Sequence, residues 1–173
     1  MKTASKSPWR RGNARQGFAI ADAVVAMVLL TVAIGGLAGS VAFGLRLHRT
    51  NRETALAEEA ARRILANLRT VPFQDIFNTF SAAPDIEVEG LNPRPDDPDG
   101  MVAQLIFPVD AGGNLSEQAD IPALGCPRDL NGQDGIDGLA HNTDYIILPV
   151  MVRLEWRGAG GDATQVYHVV LTQ

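Results

Sequence analysis

Asp22 is the only charged residue between Arg15 and Arg46. It is followed by an apolar run, Ala23 to Leu45, with no charge at all. A carboxylate inside an apolar helix that enters lipid costs about 2.5–3.5 kcal/mol, so it marks a functional site and calls for a partner. The other groups able to do chemistry are sparse. His48, His141 and His168 are scattered, and none stands in a metal spacing such as H-E-x-x-H. The single cysteine, Cys126, has no histidine close to it in sequence. There is no phosphate-binding loop and no G-x-S-x-G. A non-enzymatic role is therefore expected.

A second oxygen-rich stretch lies near the C-terminal third. Asp129-Leu-Asn131-Gly-Gln-Asp134-Gly-Ile-Asp137 resembles a calcium loop, in which short carboxylates and amides alternate and Gly permits the sharp turn. Ca²⁺ takes six to eight oxygens, and such a loop supplies several of them. The EF-hand or dockerin spacing places an acid at the fifth loop position, where Gln133 stands, with Asp134 one residue late. The twelfth position is Ala140 and not Glu. Two readings stay open: a Ca²⁺ site using Asp129, Asn131, Asp134 and Asp137, or a surface turn made of ordinary turn-forming residues.

The element that carries Asp22 is a helix of membrane-crossing length. At about 1.5 Å per residue, roughly 20 apolar residues cross a hydrocarbon layer of about 30 Å. Lys2, Lys6, Arg10, Arg11 and Arg15 precede the run, with no acid before Asp22. Positive charge stays inside, so the N-terminus is expected in the cytoplasm and the residues beyond Leu45 across the membrane. Three readings share this topology. A secretory signal peptide would be cut near Ser40-Val41-Ala42, although its apolar stretch should be only about 7–15 residues. A plain signal anchor would not be cut. A third reading cuts between Gly17 and Phe18, at the cytoplasmic edge of the run.

The third reading is carried by Arg15-Gln16-Gly17-Phe18-Ala19-Ile20-Ala21-Asp22. This octapeptide resembles the class III signal of type IV prepilins and type II secretion pseudopilins. In that family a basic leader ends in Gly, the next residue becomes the N-methylated mature terminus, and an acid stands fifth. Gly17, Phe18 and Asp22 fall on those places. Asp22 stands where Glu is usual, and Ala19 and Ala21 replace more common residues. The resemblance implies processing by a prepilin peptidase/methylase and assembly with other pilin or pseudopilin subunits.

Cleavage after Gly17 would leave a cationic amine on Phe18 in the same apolar layer as the Asp22 anion. Each ion is costly alone, and a close pair offsets much of that cost. In the family, the resemblance implies, the acid of one subunit meets the terminal amine of its neighbour, which makes Asp22 a register device. The plainer alternative is a carboxylate held near the headgroups, one turn from the helix end, with no special partner.

Composition fits one domain on an anchor: the chain has 173 residues. Losing residues 1–17 removes five cations, which takes the formal net charge from −5 to −10. An acidic mature chain argues against nucleic acid as a partner. A lone Cys126 cannot form an intrachain disulfide, and burial is its expected state.

Beyond Leu45 the helical spacing continues in a charged setting. Leu56, Ala60, Ile64 and Leu68 recur every four residues, flanked by Ala57, Ala61 and Leu65. Glu58 and Glu59 precede Arg62 and Arg63 by four, the favourable order on one helix face. Pro72 should end the helix. A helix from Phe18 to about Arg69 would span roughly 80 Å. Gly35, Gly36, Gly39 and Gly44 offer close packing to neighbouring helices or sites of local unwinding. A short helix is expected over Phe73–Phe80, a proline-rich acidic loop over 84–100 and a strand over Met101–Val109. Tyr145–Trp156 and Thr164–Thr172 should form a hairpin around the glycines at 158–161. Pro149 suggests an edge or a bulge. Trp156 and Tyr167 read as core residues.

The expected fold class is α+β and pilin-like: one long helix packed on a small antiparallel sheet. Its divisions are a leader over 1–17, an apolar helical half over 18–45, an amphipathic half over 46–71 and a periplasmic or extracellular domain over 72–173. The expected function is a structural subunit of a type IV pilus or type II secretion pseudopilus, anchored in the inner membrane. The layout looks more like a minor subunit than an abundant one. The competing class is a calcium-binding or adhesive ectodomain on an uncut anchor.

Overall fold

The computed structural model describes residues 14–133 and 135–173, and for residues 14–19 the backbone alone. Most of the expected leader and Asp134 lie outside the described residues. The chain divides into two units, one ending at Leu45 and one beginning at Arg46.

Helix α1 (Ala14–Leu68) runs without interruption for 55 residues. Its last turn tightens: the Arg69 and Thr70 amides donate to the Ala66 and Asn67 carbonyls at 3.1 and 3.0 Å. The Thr70 hydroxyl also donates to Asn67 O at 2.7 Å. Pro72 then excludes a further turn. In the first unit every described side chain from Ile20 to Leu45 is exposed. Met27 and Phe43 are each 69% exposed. The helix is long and apolar enough to cross a membrane. An apolar surface of this extent calls for lipid or other apolar helices around it. The backbone stays α-helical through Gly35, Gly36, Gly39 and Gly44. A Cβ at any of these four glycines would meet nothing in this chain.

In the second unit the part of α1 beyond Arg46 packs on a four-stranded antiparallel sheet, so the α+β expectation holds. Ala57, Ala61, Ile64 and Leu68 are buried, with Leu56, Ala60 and Leu65 packed beside them. On the opposite face Glu58–Arg62 and Glu59–Arg63 approach to 3.8 and 3.5 Å, exposed pairs that add only a few tenths of a kcal/mol each. The sheet has the order β1 (Asp85–Ile86), β2 (Ala103–Ile106), β3 (Ile147–Gly158), β4 (Gly161–Thr172). Strands β3 and β4 form a hairpin closed by Ala159-Gly160, in register from Ile147↔Thr172 to Gly158↔Gly161. Val150, Val152, Leu154 and Trp156 fill the buried face, opposite Val169, Tyr167, Gln165 and Ala163. The period-2 alternation in β3 thus places a continuous apolar face in the core.

Two local expectations change. The acidic stretch 84–100 is not all loop, because Asp85 and Ile86 pair with Gln104 and Ala103. Pro149 lies in an inner strand and is fully buried. It is tolerated because β2 reaches only to Met151, so β3 has no neighbour on that side at Pro149. Between Phe73 and Phe80 a 3₁₀ turn, Phe73–Asp75, leads into α2 (Ile76–Phe80). Among the described residues from Phe107 to Ile146 there is little regular structure, only a Val109↔Leu115 bridge and a 3₁₀ turn at Pro122–Leu124.

Candidate functional site

The long irregular segment 107–146 is organised around one carboxylate. Glu117 is fully buried. Its Oε1 accepts the Leu130 and Asn131 amides at 2.8 and 3.3 Å, and its Oε2 accepts the Asp137 amide at 3.0 Å. The Arg128 amide donates to the Glu117 carbonyl at 3.0 Å. Residue 117 therefore gathers a stretch 11 to 20 positions away and replaces its missing ladder bonds.

His141 closes the same cluster and is 1% exposed. Its amide donates to Leu115 O at 2.9 Å, which fixes the ring beside Glu117. Nε2 lies 3.0 Å from Asp137 Oδ1 and 3.8 Å from Glu117 Oε1. Nδ1 faces both oxygens of Asp144 at 3.2 Å. Burial disfavours a charged ring, but the hydrogen bonds to Asp137 and Asp144 and the fields of Asp144 and Glu117 outweigh it. The His141 pKa is raised above 6.5. Glu117, Asp137 and His141 each offer one ligand atom, all within 4.8 Å of one another, an arrangement that can hold a metal ion.

Among the described residues of the 129–137 stretch, side-chain oxygens of Asp129 and Asn131 are engaged in local turns. Asp129 Oδ1 accepts the Gly132 amide at 2.6 Å, and Asn131 Oδ1 accepts the Gln133 amide at 2.9 Å. The second is an Asx turn, two residues on, and the first reaches three residues on; in each the side chain braces its own backbone. Gly132 has φ 74°, a backbone conformation that favours glycine, and a Cβ there would press on the end of the Ile146 side chain. Of the four residues expected to hold Ca²⁺, Asp137 joins the buried cluster. Asp134 lies outside the described residues.

Glu117 and His141 were not among the expected site residues. The spacing D-x₃-H over Asp137 and His141, followed by Asp144 three residues on, is a sequence trace of the cluster. Glu117 has no such trace, because only the path of the irregular segment brings it there. Cys126 is buried as expected, and burial pushes its thiol pKa up.

At the other end of the chain, the backbone of Gly17 and Phe18 is helical and continuous with α1. Asp22 lies on the exposed apolar segment, and among the described residues no cation lies within 4.0 Å of it. Comparison with protein-family models, with curated proteins and with solved structures finds no match for this chain.

Proposed function

We propose that the chain is a structural subunit of a type IV pilus or type II secretion pseudopilus. In this reading it is cut between Gly17 and Phe18, held in the inner membrane with its domain in the periplasm, and incorporated into a filament. The observation that carries it is the Ile20–Leu45 half of α1. It is apolar, wholly exposed in the single chain and interrupted by one carboxylate, Asp22. A plain anchor has no use for a carboxylate at that depth, whereas subunits packing helix against helix gain a register point from it. The amphipathic continuation of α1, bound to a small antiparallel sheet, is compatible with a pilin-like shape. In this reading the partner of Asp22 is the freed Phe18 amine of a neighbouring copy.

The test is the mass of the N-terminal peptide from native membranes. A chain starting at Phe18, with one added methyl, is the expected result. A chain starting at Met1 would mean an uncut anchor, and one starting near Phe43 a secreted domain. Either result would overturn the filament reading.

A further inference from the structure

We propose that Glu117, Asp137 and His141 form a structural site for a first-row transition-metal dication of the zinc type, with Asp144 orienting the imidazole. This inference does not depend on the filament reading.

Charge is the first ground. Glu117, Asp137 and Asp144 put three carboxylates around one imidazole. Even a protonated ring leaves two negative charges over. Among the described residues no Lys or Arg lies within 4.0 Å of any of the three acids. Glu117 is fully buried, where an uncompensated anion is costly. A dication supplies the missing charge.

Geometry is the second ground. Zinc holds His nitrogen at about 2.0–2.1 Å and carboxylate oxygen at about 2.0–2.2 Å. Two ligand atoms on one tetrahedral ion are then roughly 3.4 Å apart. His141 Nε2 lies 3.0 Å from Asp137 Oδ1 and 3.8 Å from Glu117 Oε1, on either side of that value. Of the three amides on Glu117, two go to Oε1 and one to Oε2, so the open position is on Oε2, and a metal bond at Oε1 would replace the 3.3 Å Asn131 contact.

The partner of the far ring nitrogen is the third ground. Nδ1 lies 3.2 Å from both Asp144 oxygens and 3.4 Å from Asn131 Nδ2, so a ring that ligates through Nε2 would keep its proton on Nδ1 and donate it to Asp144. A carboxylate behind a ligating histidine is the usual support in zinc sites. The choice of ion follows from the nitrogen. Imidazole suits Zn²⁺, Cu²⁺, Ni²⁺ and Fe²⁺, while Ca²⁺ prefers oxygen alone and needs six to eight ligands. The role that follows is a staple: the ion would join residue 117 to residues 137 and 141 in the irregular segment.

The experiment is titration of untagged, chelator-treated full chain in detergent with Co²⁺, followed by its visible d–d absorption and by competition with Zn²⁺ and Ca²⁺. The expected result is saturation at one equivalent, displacement by Zn²⁺ and persistence in excess Ca²⁺. Asp137→Asn should weaken binding at least about tenfold, and Asp144→Asn by about 10–100-fold, as for a supporting residue. Asp129→Asn should leave binding unchanged. His141→Gln should abolish the band. If that variant does not fold, Asp137→Asn decides the question, because the Asp137 side chain is half exposed and its replacement is tolerated more easily. No saturable binding, a Co²⁺ affinity of Asp137→Asn equal to that of the wild type, or displacement by Ca²⁺ as readily as by Zn²⁺ would each overturn the site.

Discussion

Tyr145 donates its hydroxyl to the Phe73 carbonyl at 2.6 Å while the two rings meet at a centroid distance of 5.0 Å. The same hydroxyl accepts the Phe77 amide at 3.3 Å, and the Gln74 amide group donates to the Tyr145 carbonyl at 3.1 Å. One side chain just ahead of β3 thus fixes the segment that follows α1. Tyr145→Phe keeps the ring and loses two hydrogen bonds, which should cost about 1–2 kcal/mol. Tyr145→Ala should cost about 3–5 kcal/mol, because the ring volume is lost too. Denaturant midpoints of the full chain in detergent measure both. Equal stability of wild type and Tyr145→Phe would show that the hydroxyl bonds contribute nothing.

Burial, chiefly, holds the Tyr145 pKa above 10, aided by the Asp75 charge and opposed by hydrogen bonds from the Phe77 and Ile76 amides. An acid whose folded pKa is raised keeps its neutral form longer in the native state. Its contribution is complete below the unfolded value near 10 and is lost as pH rises through the folded value. Stability should therefore fall with pH in the window above about 10. Tyr167, also raised by burial, adds to the same slope. Tyr145→Phe should flatten the alkaline slope without removing it. Melting temperatures between pH 9 and 11 decide the matter, and parallel curves for the variant and wild type would count against the assignment.

The seam between α1 and the sheet rests on small residues. Ala57 and Ala61 are 0% and 1% exposed, and Leu68 is fully buried. Ala61→Leu would force side chains apart and should destabilise by about 1–3 kcal/mol. Leu68→Ala leaves a cavity and should cost about 2–5 kcal/mol. Leu30, 61% exposed in the other half of the same helix, is the control. Leu30→Ala should leave unfolding of the sheet-bearing unit unchanged. Thermal melts followed by near-ultraviolet circular dichroism, which reports on Trp156 and the buried Tyr145, separate the three.

These packing residues were legible in the sequence because their contacts are periodic. Leu56, Ala60, Ile64 and Leu68 repeat at helical spacing, and Val150, Val152, Leu154 and Trp156 alternate, so each row predicts its own face. The buried cluster has no such period. Glu117 and His141 meet because the Leu115 carbonyl accepts the His141 amide at 2.9 Å, a contact between irregular segments that no local pattern encodes. The Asp and Asn run at 129–137 pointed to calcium because Asx residues serve two purposes. Asp129 and Asn131 brace their own turns here, while Asp137 faces the histidine. Pro149 was legible in part: β3 is an inner strand, but β2 stops two residues short, so at the proline that side of the strand is open.

Glu117 should matter to the fold more than any other charged group of the 107–146 segment. Removing its carboxylate leaves the Leu130, Asn131 and Asp137 amides without their acceptor. Each buried unsatisfied donor costs about 1–3 kcal/mol. Glu117→Ala should lose about 3–5 kcal/mol even after chelation of metals, and Glu117→Gln less, since one oxygen still accepts. Native-state hydrogen exchange gives the local reading. Leu130 and Asp137 amide exchange should accelerate by roughly tenfold to a hundredfold in Glu117→Ala, against little change in the β3–β4 ladder. Uniform acceleration would mean that Glu117 stabilises the whole domain and does not act as a local organiser.

Asp22 allows insertion and assembly to be separated, because the filament reading predicts opposite effects on the two. Replacing a carboxylate by Ala makes the apolar helix easier to insert, by about 2.5–3.5 kcal/mol if the residue reaches the hydrocarbon centre and less near the headgroups. Asp22→Ala should therefore remain fully in the membrane fraction. The same change removes the anion that would pair with a neighbour's Phe18 amine, and loss of even about 1.4 kcal/mol per contact lowers association tenfold at every step. The sheared filament fraction should fall at least that far. Asp22→Glu keeps the charge one methylene further out and should retain most assembly, whereas Asp22→Asn keeps the shape without the charge and should resemble Ala. Quantifying the chain in membrane and filament fractions for the three variants tests the charge itself. If Asp22→Asn assembles as well as wild type, no ion pair sets the register. If Asp22→Ala leaves the membrane fraction, the carboxylate serves insertion and the filament role is lost.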